Sequence, residues 1–210
     1  MKRVYEIWIG EQTSGKTFQL RNAIKSLSTR KSIDCIFICD RLGEFGDLPR
    51  CEIVRDWSDM SRFDELPRII SFQFGPDAEA YNIVFREAIE QGNVCIVLDE
   101  GYEFAPGGAS WRGAQELKAI MFSGRHLRNI AGKLCPIHLI VAAQYPKSIY
   151  HQFWGQANCV MCGVISGENT RNWIKGNFGE VQLKAVDMLN KWEWFPLRGR
   201  PACPPLRPPR

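Results

Sequence analysis

The amino-acid sequence predicts an α/β domain whose central sheet is mostly parallel and is flanked by helices. Two observations carry this prediction. Short apolar runs alternate with segments of helical period along most of the chain, which is the pattern of β-α-β units. The first apolar run is followed directly by a loop bounded by glycines, "GEQTSGKT", and then by a helical segment. That order of strand, loop and helix is the context in which proteins bind a polyphosphate.

The predicted strands and helices follow from these patterns. Several of the apolar runs are continuous rather than alternating, as expected for strands that are covered on both faces. Residues 77–91 show the helical spacing of apolar side chains, with Gly92 just past their end. Residues 181–195 are compatible with a short helix or with an edge hairpin. The predicted strands are residues 4–9, 33–39, 51–54, 68–72, 94–98, 137–142 and 159–165, and the predicted helices are residues 16–27, 77–91, 115–129 and 170–177.

The composition is that of an ordinary globular chain, with 45% apolar and 24% charged residues. No stretch approaches the roughly 20 apolar residues of a membrane-spanning helix, and the first residues lack the apolar run of a secretory signal. The eight cysteines are scattered, and several lie within apolar runs. We therefore expect no integral membrane segment, and reduced, buried thiols rather than a disulfide framework.

The C-terminal residues 196–210 differ from the rest of the chain. They contain six prolines, four arginines and no acidic residue, so they hold the whole net charge of +4. Proline-rich, charged segments rarely form packed elements. We therefore predict one domain over residues 1–195 and a flexible tail over residues 196–210. The tail either has no specific task or contacts DNA or a protein shell.

The loop that follows the first strand is the strongest functional signal. Its glycines allow backbone angles that turn successive N–H groups toward a polyphosphate. Lys16 is expected to reach the β- and γ-phosphates of a nucleoside triphosphate, and the Thr17 hydroxyl to ligate Mg²⁺. The residues predicted to contact the nucleotide are Gly10, Glu11, Gln12, Thr13, Ser14, Gly15, Lys16, Thr17 and Phe18.

Two further strands end in polar side chains that suit hydrolysis. The run "VCIVLDE" ends in Asp99 and Glu100, at the edge of a parallel sheet where ligands bind. Asp99 is predicted to hold the hydration shell of Mg²⁺, and Glu100 to orient and deprotonate water. The run "HLIVAAQYP" ends in Gln144, which is expected to sense the γ-phosphate or to position water beside the phosphate loop.

Two arginines precede that last strand in the segment "SGRHLRN". Arg125 and Arg128 lie three residues apart, so on the predicted helix they would share a face. A guanidinium that completes a neighbouring molecule's site stabilises the charge that develops on a transferring phosphoryl group. We expect Arg125 to act in this way, with Arg128 as the second candidate. Alternatively, both are ordinary surface arginines.

These motifs together resemble the HerA–FtsK superfamily of DNA-pumping P-loop ATPases. The residues that carry the resemblance are "GEQTSGKT", "ICDRLGEF", "CIVLDE" and "GRHLRN…PIHLIVAAQYP", in this order and spacing. The compact length is most similar to the genome-packaging ATPases of tailless double-stranded DNA viruses. Asp40 and Glu44 match an acidic stretch of the family, without an assigned role.

The resemblance implies a RecA-like (ASCE) core and a ring of subunits, commonly six. It implies that the ring uses ATP and Mg²⁺ to move double-stranded DNA into a preformed capsid. It also implies contact with a capsid or portal vertex protein, action in the cytoplasm of the host cell, and association with the virion as a further expectation.

Two other classes remain open at this point. A nucleoside or nucleotide kinase of the zinc-containing thymidine-kinase type has a similar length and phosphate loop, but this chain lacks paired zinc cysteines. A nucleotide-dependent assembly adaptor, similar to Zot-type phage proteins, would hydrolyse little ATP. The candidate catalytic residues Glu100 and Gln144 argue against the adaptor.

Overall fold

The computed structural model describes residues 3–60, 69–75, 78–107 and 113–206. Within these ranges the strands are β1 (Tyr5–Ile9), β2 (Cys35–Cys39), β3 (Cys51–Val54), β4 (Ile69–Phe72), β5 (Val94–Leu98), β6 (His138–Ala143), β7 (Cys159–Cys162) and β8 (Phe195–Arg198). The helices are α1 (Lys16–Leu27), α2 (Asn82–Gln91), α3 (Gln115–Ser123), α4 (Gln152–Gln156), α5 (Glu168–Phe178) and α6 (Glu180–Asp187). Short 3₁₀ turns lie at Trp57–Asp59, Ala78–Tyr81 and Pro146–Ser148.

The eight strands form one sheet in the order β3-β4-β2-β5-β6-β1-β7-β8. Every neighbouring pair is parallel except β7 and β8, which are antiparallel. Strand β6 lies between β1 and β5. Because these strands are parallel, the loops that follow β1, β5 and β6 meet at the same edge of the sheet.

The core lies on both faces of this sheet. Successive side chains of a strand point to opposite faces, and β1 follows this rule: Tyr5, Ile7 and Ile9 pack in one apolar cluster, whereas Trp8 packs in the other. The first cluster includes side chains from helices α2 to α6, and the second includes side chains from α1. The sheet is therefore sandwiched between helices, and its continuous apolar strands are buried on both sides.

The fold class predicted from the sequence is confirmed. Each of the seven predicted strands is present within three residues of its predicted ends, although the predicted first residue of the fourth, Arg68, lies outside the described residues. The helix predicted over residues 77–91 is a 3₁₀ turn followed by α2, and Asp77 likewise lies outside the described residues.

The helix predicted over residues 115–129 is shorter than expected. It ends at Ser123: the Gly124 N–H makes the last helical hydrogen bond to the Ile120 carbonyl (2.9 Å), and the His126 N–H then closes a tighter turn on the Ser123 carbonyl (2.7 Å). The Arg3 side chain also donates to the carbonyls of Ile120 and Met121 in the last turn. The expectation that Arg125 and Arg128 share a helix face is therefore wrong.

The C-terminal region also differs from its prediction. Residues 181–195 begin with a helix, α6, and lead into the edge strand β8. Residues 196–206, expected to belong to a flexible tail, are packed on the domain. Cys203 is buried, and Leu206 exchanges two hydrogen bonds between its backbone and the Gln19 side chain (2.6 and 3.0 Å). Residues 207–210 lie outside the described residues.

All eight cysteines are among the described residues, and none of them forms a disulfide. Seven are buried, as expected for thiols that lie in apolar segments of the chain, and Cys51 is partly exposed. No helix in the described ranges is long and apolar enough to cross a membrane.

Candidate nucleotide-binding site

The loops at the carboxyl edge of the sheet surround a cavity of about 300 Å³. It lies where the loops after β1, β2, β5 and β6 meet, together with the turn before β8. The residues that line it are Gln12, Thr13, Gly15, Lys16, Thr17, Phe18, Leu42, Glu44, Glu100, Gln144 and Trp192. Six of the nine residues from 10–18 that were predicted to contact a nucleotide are therefore accompanied by residues from four other parts of the chain.

The phosphate loop has the backbone conformation that its glycines allow. Gly15 has a φ of +91° and directly precedes α1, and Thr13 has a φ of +70°. Gly10 donates its N–H to the Ala143 carbonyl (3.1 Å), so the start of the loop is fixed to the end of β6. A Cβ on Gly10 would lie 2.4 Å from the Ser14 hydroxyl oxygen, which shows how tightly the loop turns on itself.

Lys16 lies across this loop. Its Nζ donates to the carbonyls of Gly10 (2.7 Å) and Glu11 (3.0 Å), and the residue is only 7% exposed. Burial lowers the pKa of Lys16, while the nearby carboxylates of Glu100 and Asp99 act in the opposite direction. A buried ammonium that is held by two carbonyl oxygens is placed to bind a stronger acceptor, such as a phosphate.

Glu11 fixes the loop to a different element. Its carboxylate accepts hydrogen bonds from the N–H and the hydroxyl of Ser166 and from the N–H of Gly167 (3.0 Å). Although partial burial acts in the opposite direction, these hydrogen bonds hold the pKa of Glu11 below its usual value. Glu11, which was predicted to contact the nucleotide, uses its side chain to join the loop to the segment that leads into α5.

The acidic stretch after β2 contains two residues with different roles. Asp40 is fully buried and accepts hydrogen bonds from the N–H groups of Glu44 (2.8 Å) and Phe45 (3.0 Å) and from the Ser71 hydroxyl (2.8 Å). It therefore shapes the loop from within. Glu44 lines the cavity, and its backbone is held there by the hydrogen bond from its N–H to Asp40.

Glu44 links the phosphate loop to the acidic end of β5. It accepts a hydrogen bond from the Thr17 hydroxyl (3.1 Å), and its carboxylate lies near enough to Asp99 to act on the pKa of that carboxyl. Burial raises the pKa of Asp99 to about 7, and the negative charges of Glu100 and Glu44 add to this effect. Carboxylates held this close together repel each other, so a cation beside them would be stabilised.

Glu100 and Gln144 form a hydrogen-bonded pair. Gln144 Nε2 donates to Glu100 Oε1 (3.0 Å). Glu100 has a φ of +57°, and the following residue, Gly101, donates its N–H to the Ala142 carbonyl (2.7 Å), which ties this turn to β6. The second oxygen, Glu100 Oε2, is buried and has no hydrogen-bond partner among the described residues. It is an acceptor at the wall of the cavity that can receive a proton.

The two arginines lie elsewhere. Arg125 is exposed and follows Gly124, whose carbonyl accepts from the N–H of Ile137 just before β6 begins. Arg125 is therefore at the amino edge of the sheet, and the six residues of β6, about 20 Å long, separate it from Gln144. Arg128 Nη1 donates to the Gly132 carbonyl (2.7 Å) within its own turn. Neither guanidinium joins the cavity of its own chain.

Three residues of the cavity, Leu42, Glu44 and Trp192, were not assigned to the site by the sequence. Glu44 lay in the acidic stretch that was noted without a role. Strands β2 and β5 are parallel neighbours in the sheet, so the residues that follow them lie close together. Glu44 could have been placed near Asp99 only if this strand order had been known. Trp192 lies in the segment "KWEWF", where the sequence pattern left only a choice between helix and hairpin.

Comparison with known proteins identifies the fold. No protein-family model and no curated protein sequence matches the chain. The genome packaging NTPase B204 from Sulfolobus turreted icosahedral virus 2, solved in complex with AMPPCP, superposes with a TM-score of 0.72 at 16% identity, covering 93% of each chain. The same protein in complex with ATP-gammaS gives 0.73 at 15% identity, covering 93% of this chain and 92% of that chain.

A third solved structure is similar as well. B204, the DNA-packaging ATPase from Sulfolobus Turreted Icosahedral Virus, gives a TM-score of 0.68 at 18% identity, covering 91% of this chain and 90% of that chain. The similarity spans nearly the whole chain in each case, at an identity that establishes the P-loop NTPase fold alone.

Proposed function

We propose that this chain, with the fold of viral genome-packaging NTPases, is an ATP-hydrolysing motor that moves double-stranded DNA into a preformed capsid. The observation that carries the proposal is the hydrogen-bonded pair of Glu100 and Gln144 beside the phosphate loop. Support comes also from the full-length similarity to proteins described as genome-packaging NTPases. A protein that only held a nucleotide would not need a buried, unpaired carboxylate oxygen beside it.

The loop binds the triphosphate in this proposal. The N–H groups at the start of α1 face the phosphates, where the positive end of the helix dipole favours negative charge. Lys16 leaves the carbonyls of Gly10 and Glu11 for the β- and γ-phosphates, because an ammonium attracts a negatively charged phosphate oxygen more strongly than a neutral carbonyl oxygen.

Mg²⁺ is the proposed metal. In nucleotide sites it is bound by one or two carboxylates together with phosphate oxygens, and the Thr17 hydroxyl and the Asp99 carboxyl are the oxygens available here, with Glu44 between them. No three His, Cys, Asp or Glu side chains in the described ranges cluster closely enough to bind a metal by themselves, so part of the coordination would come from phosphate. Bound there, the ion would neutralise the charge of the phosphates.

Glu100 and Gln144 act on water. A water molecule attacks the γ-phosphorus while its proton passes to Glu100 Oε2, and the bond to the β-phosphate oxygen breaks to release ADP and phosphate. Gln144 holds Oε1 of the same carboxylate, so it fixes the orientation of the base.

Replacing Glu100 by Gln tests this assignment. Because general base catalysis contributes roughly 10²- to 10⁴-fold, we expect Glu100→Gln to lower the ATP turnover of the DNA-stimulated protein by at least about 100-fold while ATP still binds. Glu90→Gln, on an exposed glutamate of α2, is the matched control and should hydrolyse ATP at the normal rate. Unchanged turnover in Glu100→Gln, or phosphoryl transfer to thymidine in place of water, would contradict the proposal.

We further propose that the motor is a ring, with six subunits as the expected number, in which Arg125 of one subunit completes the site of the next. Its exposure and its position at the amino edge of the sheet, away from its own phosphate loop, support a role toward a neighbour. Arg128, which is engaged by the Gly132 carbonyl, is the second candidate.

Mixing two inactive variants tests the ring. Arg125→Ala lacks the arginine but keeps the phosphate loop, and Lys16→Ala lacks the loop lysine but keeps the arginine. We expect each alone to hydrolyse little ATP, and a mixture to recover part of the activity, because some neighbouring pairs then hold one complete site. Full activity of Arg125→Ala in the assembled state would overturn the assignment, and the same mixture made with Arg128→Ala would show whether Arg128 acts instead.

The partners and place of action belong to the same proposal. We propose that the ring docks on a capsid or portal vertex protein in the cytoplasm of the host cell and remains associated with the virion. Stimulation of ATP turnover by double-stranded DNA, but not by an equal charge of a simple polyanion, is the result expected of a DNA motor.

A further inference from the structure

The turn before β8 holds a tryptophan at the phosphate loop. Glu193 donates its N–H to the Asn190 carbonyl (3.0 Å), and its carboxylate accepts from the Asn190 N–H (2.9 Å) and Nδ2 (3.1 Å). The next residue, Trp194, is buried and packs against Trp8 with 5.2 Å between the ring centroids. The turn is therefore closed on itself and anchored in the core, and Trp192 within it has a defined position.

Trp192 lies against the first turn of α1. A Cβ on Gly15 would come within 2.3 Å of Trp192 Cε3, so the indole is in direct contact with the backbone at the end of the phosphate loop. The Phe18 ring lies 6.0 Å away at an interplanar angle of 83°. Both rings line the cavity that Lys16 and Thr17 also line.

Core packing alone does not account for this tryptophan. Trp192 is only partly buried, and its φ of +75° lies in a region where a bulky side chain is strained. Such strain persists where the surroundings enforce it, and it recurs at ligand clamps. The strained residue, Trp192, presents its aromatic ring beside the loop rather than inside the core.

We propose that Trp192, with Phe18 as a second wall, binds the base of the nucleoside triphosphate by stacking. This inference rests on the proposed function, because it requires that the loop hold the phosphates. Two nearly perpendicular rings offer a flat base one face to stack on and one ring to meet edge-on, both of which are favourable aromatic geometries. Gly15, without a side chain, lets the indole approach the loop closely enough for one ligand to reach both.

Two substitutions separate base binding from phosphate binding. Trp192→Ala removes the stacking surface, and Trp192→Phe keeps a smaller one. The affinities of the full chain for ATP and for inorganic tripolyphosphate, which has no base, are measured by calorimetry. Because stacking of a base on an aromatic side chain is worth roughly 1–3 kcal/mol, we expect Trp192→Ala to weaken ATP binding at least about 5-fold and to leave tripolyphosphate binding unchanged. We expect Trp192→Phe to lie between Trp192→Ala and the unmodified chain.

The remaining outcomes are distinct. Equal weakening of both ligands by Trp192→Ala would mean that the indole only supports the loop, and unchanged ATP binding would mean that it does not touch the base; either result overturns the inference and leaves the proposed function standing. Failure of the unmodified chain to bind both ATP and tripolyphosphate would overturn the proposed function, and the inference with it. Quenching of tryptophan fluorescence by ATP that disappears in Trp192→Phe would support the contact independently.

Discussion

Backbone strain in this molecule is concentrated at the candidate site. Five non-glycine residues in the described ranges have a positive φ, and three of them, Thr13, Glu100 and Trp192, line the same cavity. Each such conformation costs of order 1 kcal/mol or more and persists only when its neighbours enforce it. For Glu100 the neighbour is the Gly101 N–H bonded to β6. The positions of these side chains are therefore fixed by the fold before any ligand arrives.

A buried histidine far from the cavity has a consequence that can be measured. His138 is 1% exposed, and its Nδ1 accepts the N–H of Val4 (2.9 Å). Burial lowers the pKa of His138 from 6.5 to about 4, and the positive charges of Arg3 and Arg30 act in the same direction. The folded protein therefore holds this imidazole neutral at pH values where the unfolded chain would protonate it.

Stability should fall as the pH drops through this range. Between about pH 6.5 and pH 4 the unfolded state binds one more proton at His138 than the folded state, so protonation favours unfolding. We expect up to ~3 kcal/mol of unfolding free energy to be lost across that window. His138→Asn keeps an acceptor for Val4 but does not titrate. Denaturant titrations at several pH values should show a flatter profile for His138→Asn, and an identical slope in both proteins would contradict the prediction.

At the scale of the elements, the hydrogen bonds from Ser166 and Gly167 to Glu11 couple the phosphate loop to α5. Removing that carboxylate leaves the two N–H groups before the helix without their acceptor. We expect Glu11→Ala to lower the unfolding free energy by ~1 kcal/mol and to speed amide hydrogen exchange at residues 166 and 167. Glu11→Gln, which keeps an acceptor oxygen, should fall between Glu11→Ala and the unmodified chain.

Exchange measured by mass spectrometry on peptides that span the start of α5 checks this prediction. A peptide from the middle of α2 serves as the internal control, because Glu11 makes no hydrogen bond to that helix. If amide exchange at residues 166 and 167 does not change in Glu11→Ala, the hydrogen bonds to Glu11 do not stabilise the start of α5, and the prediction is wrong.

Elements that depend on local sequence were predicted well, and those that depend on distant residues were not. The strand β1, the loop and α1 follow from an apolar run, two glycines and a helical period that lie side by side in the sequence. The end of α3 depends on Arg3, which comes from the other end of the chain to cap its last carbonyls. No local pattern contains that information.

The candidate site divides in the same way. Lys16, Thr17, Asp99 and Gln144 could be named because each follows a recognisable strand or loop. Glu44 needed the strand order that brings β2 beside β5.

At the scale of the whole molecule, the C-terminal segment is an integral part of the domain. The N–H of Ala202 donates to the buried carboxylate of Glu6, and the Ala202 carbonyl accepts from Arg30 (2.5 Å). Cys203 is buried, and Leu206 bonds to Gln19 on α1. The sequence suggested a free tail because proline and arginine dominate it. Its few apolar and backbone contacts are made with residues such as Glu6 of β1 and Gln19 of α1. The composition of the segment does not reveal these contacts.

Truncation measures that contribution. A chain that ends at Arg198 loses all of these contacts and leaves Glu6 buried with fewer donors. Because an unsatisfied buried polar group costs about 1–3 kcal/mol, and more when it is charged, we expect the unfolding free energy to fall by at least ~2 kcal/mol. A chain that ends at Leu206 keeps every contact named above and is the control. Equal stability of the two truncated chains would contradict the prediction.

Arg125 and the phosphate loop lie at opposite edges of one sheet, so the chain carries two different surfaces, an arginine surface and a phosphate-loop surface. In the proposed assembly each contact between neighbours joins the arginine surface of one chain to the phosphate-loop surface of the next and completes one site. Such contacts form a ring when the rotation closes and an open filament when it does not. An open row of n subunits therefore holds n−1 complete sites, with an idle loop at one end and an idle arginine at the other. Closure adds the last site without adding a subunit, so ATP turnover per chain should rise when the ring closes.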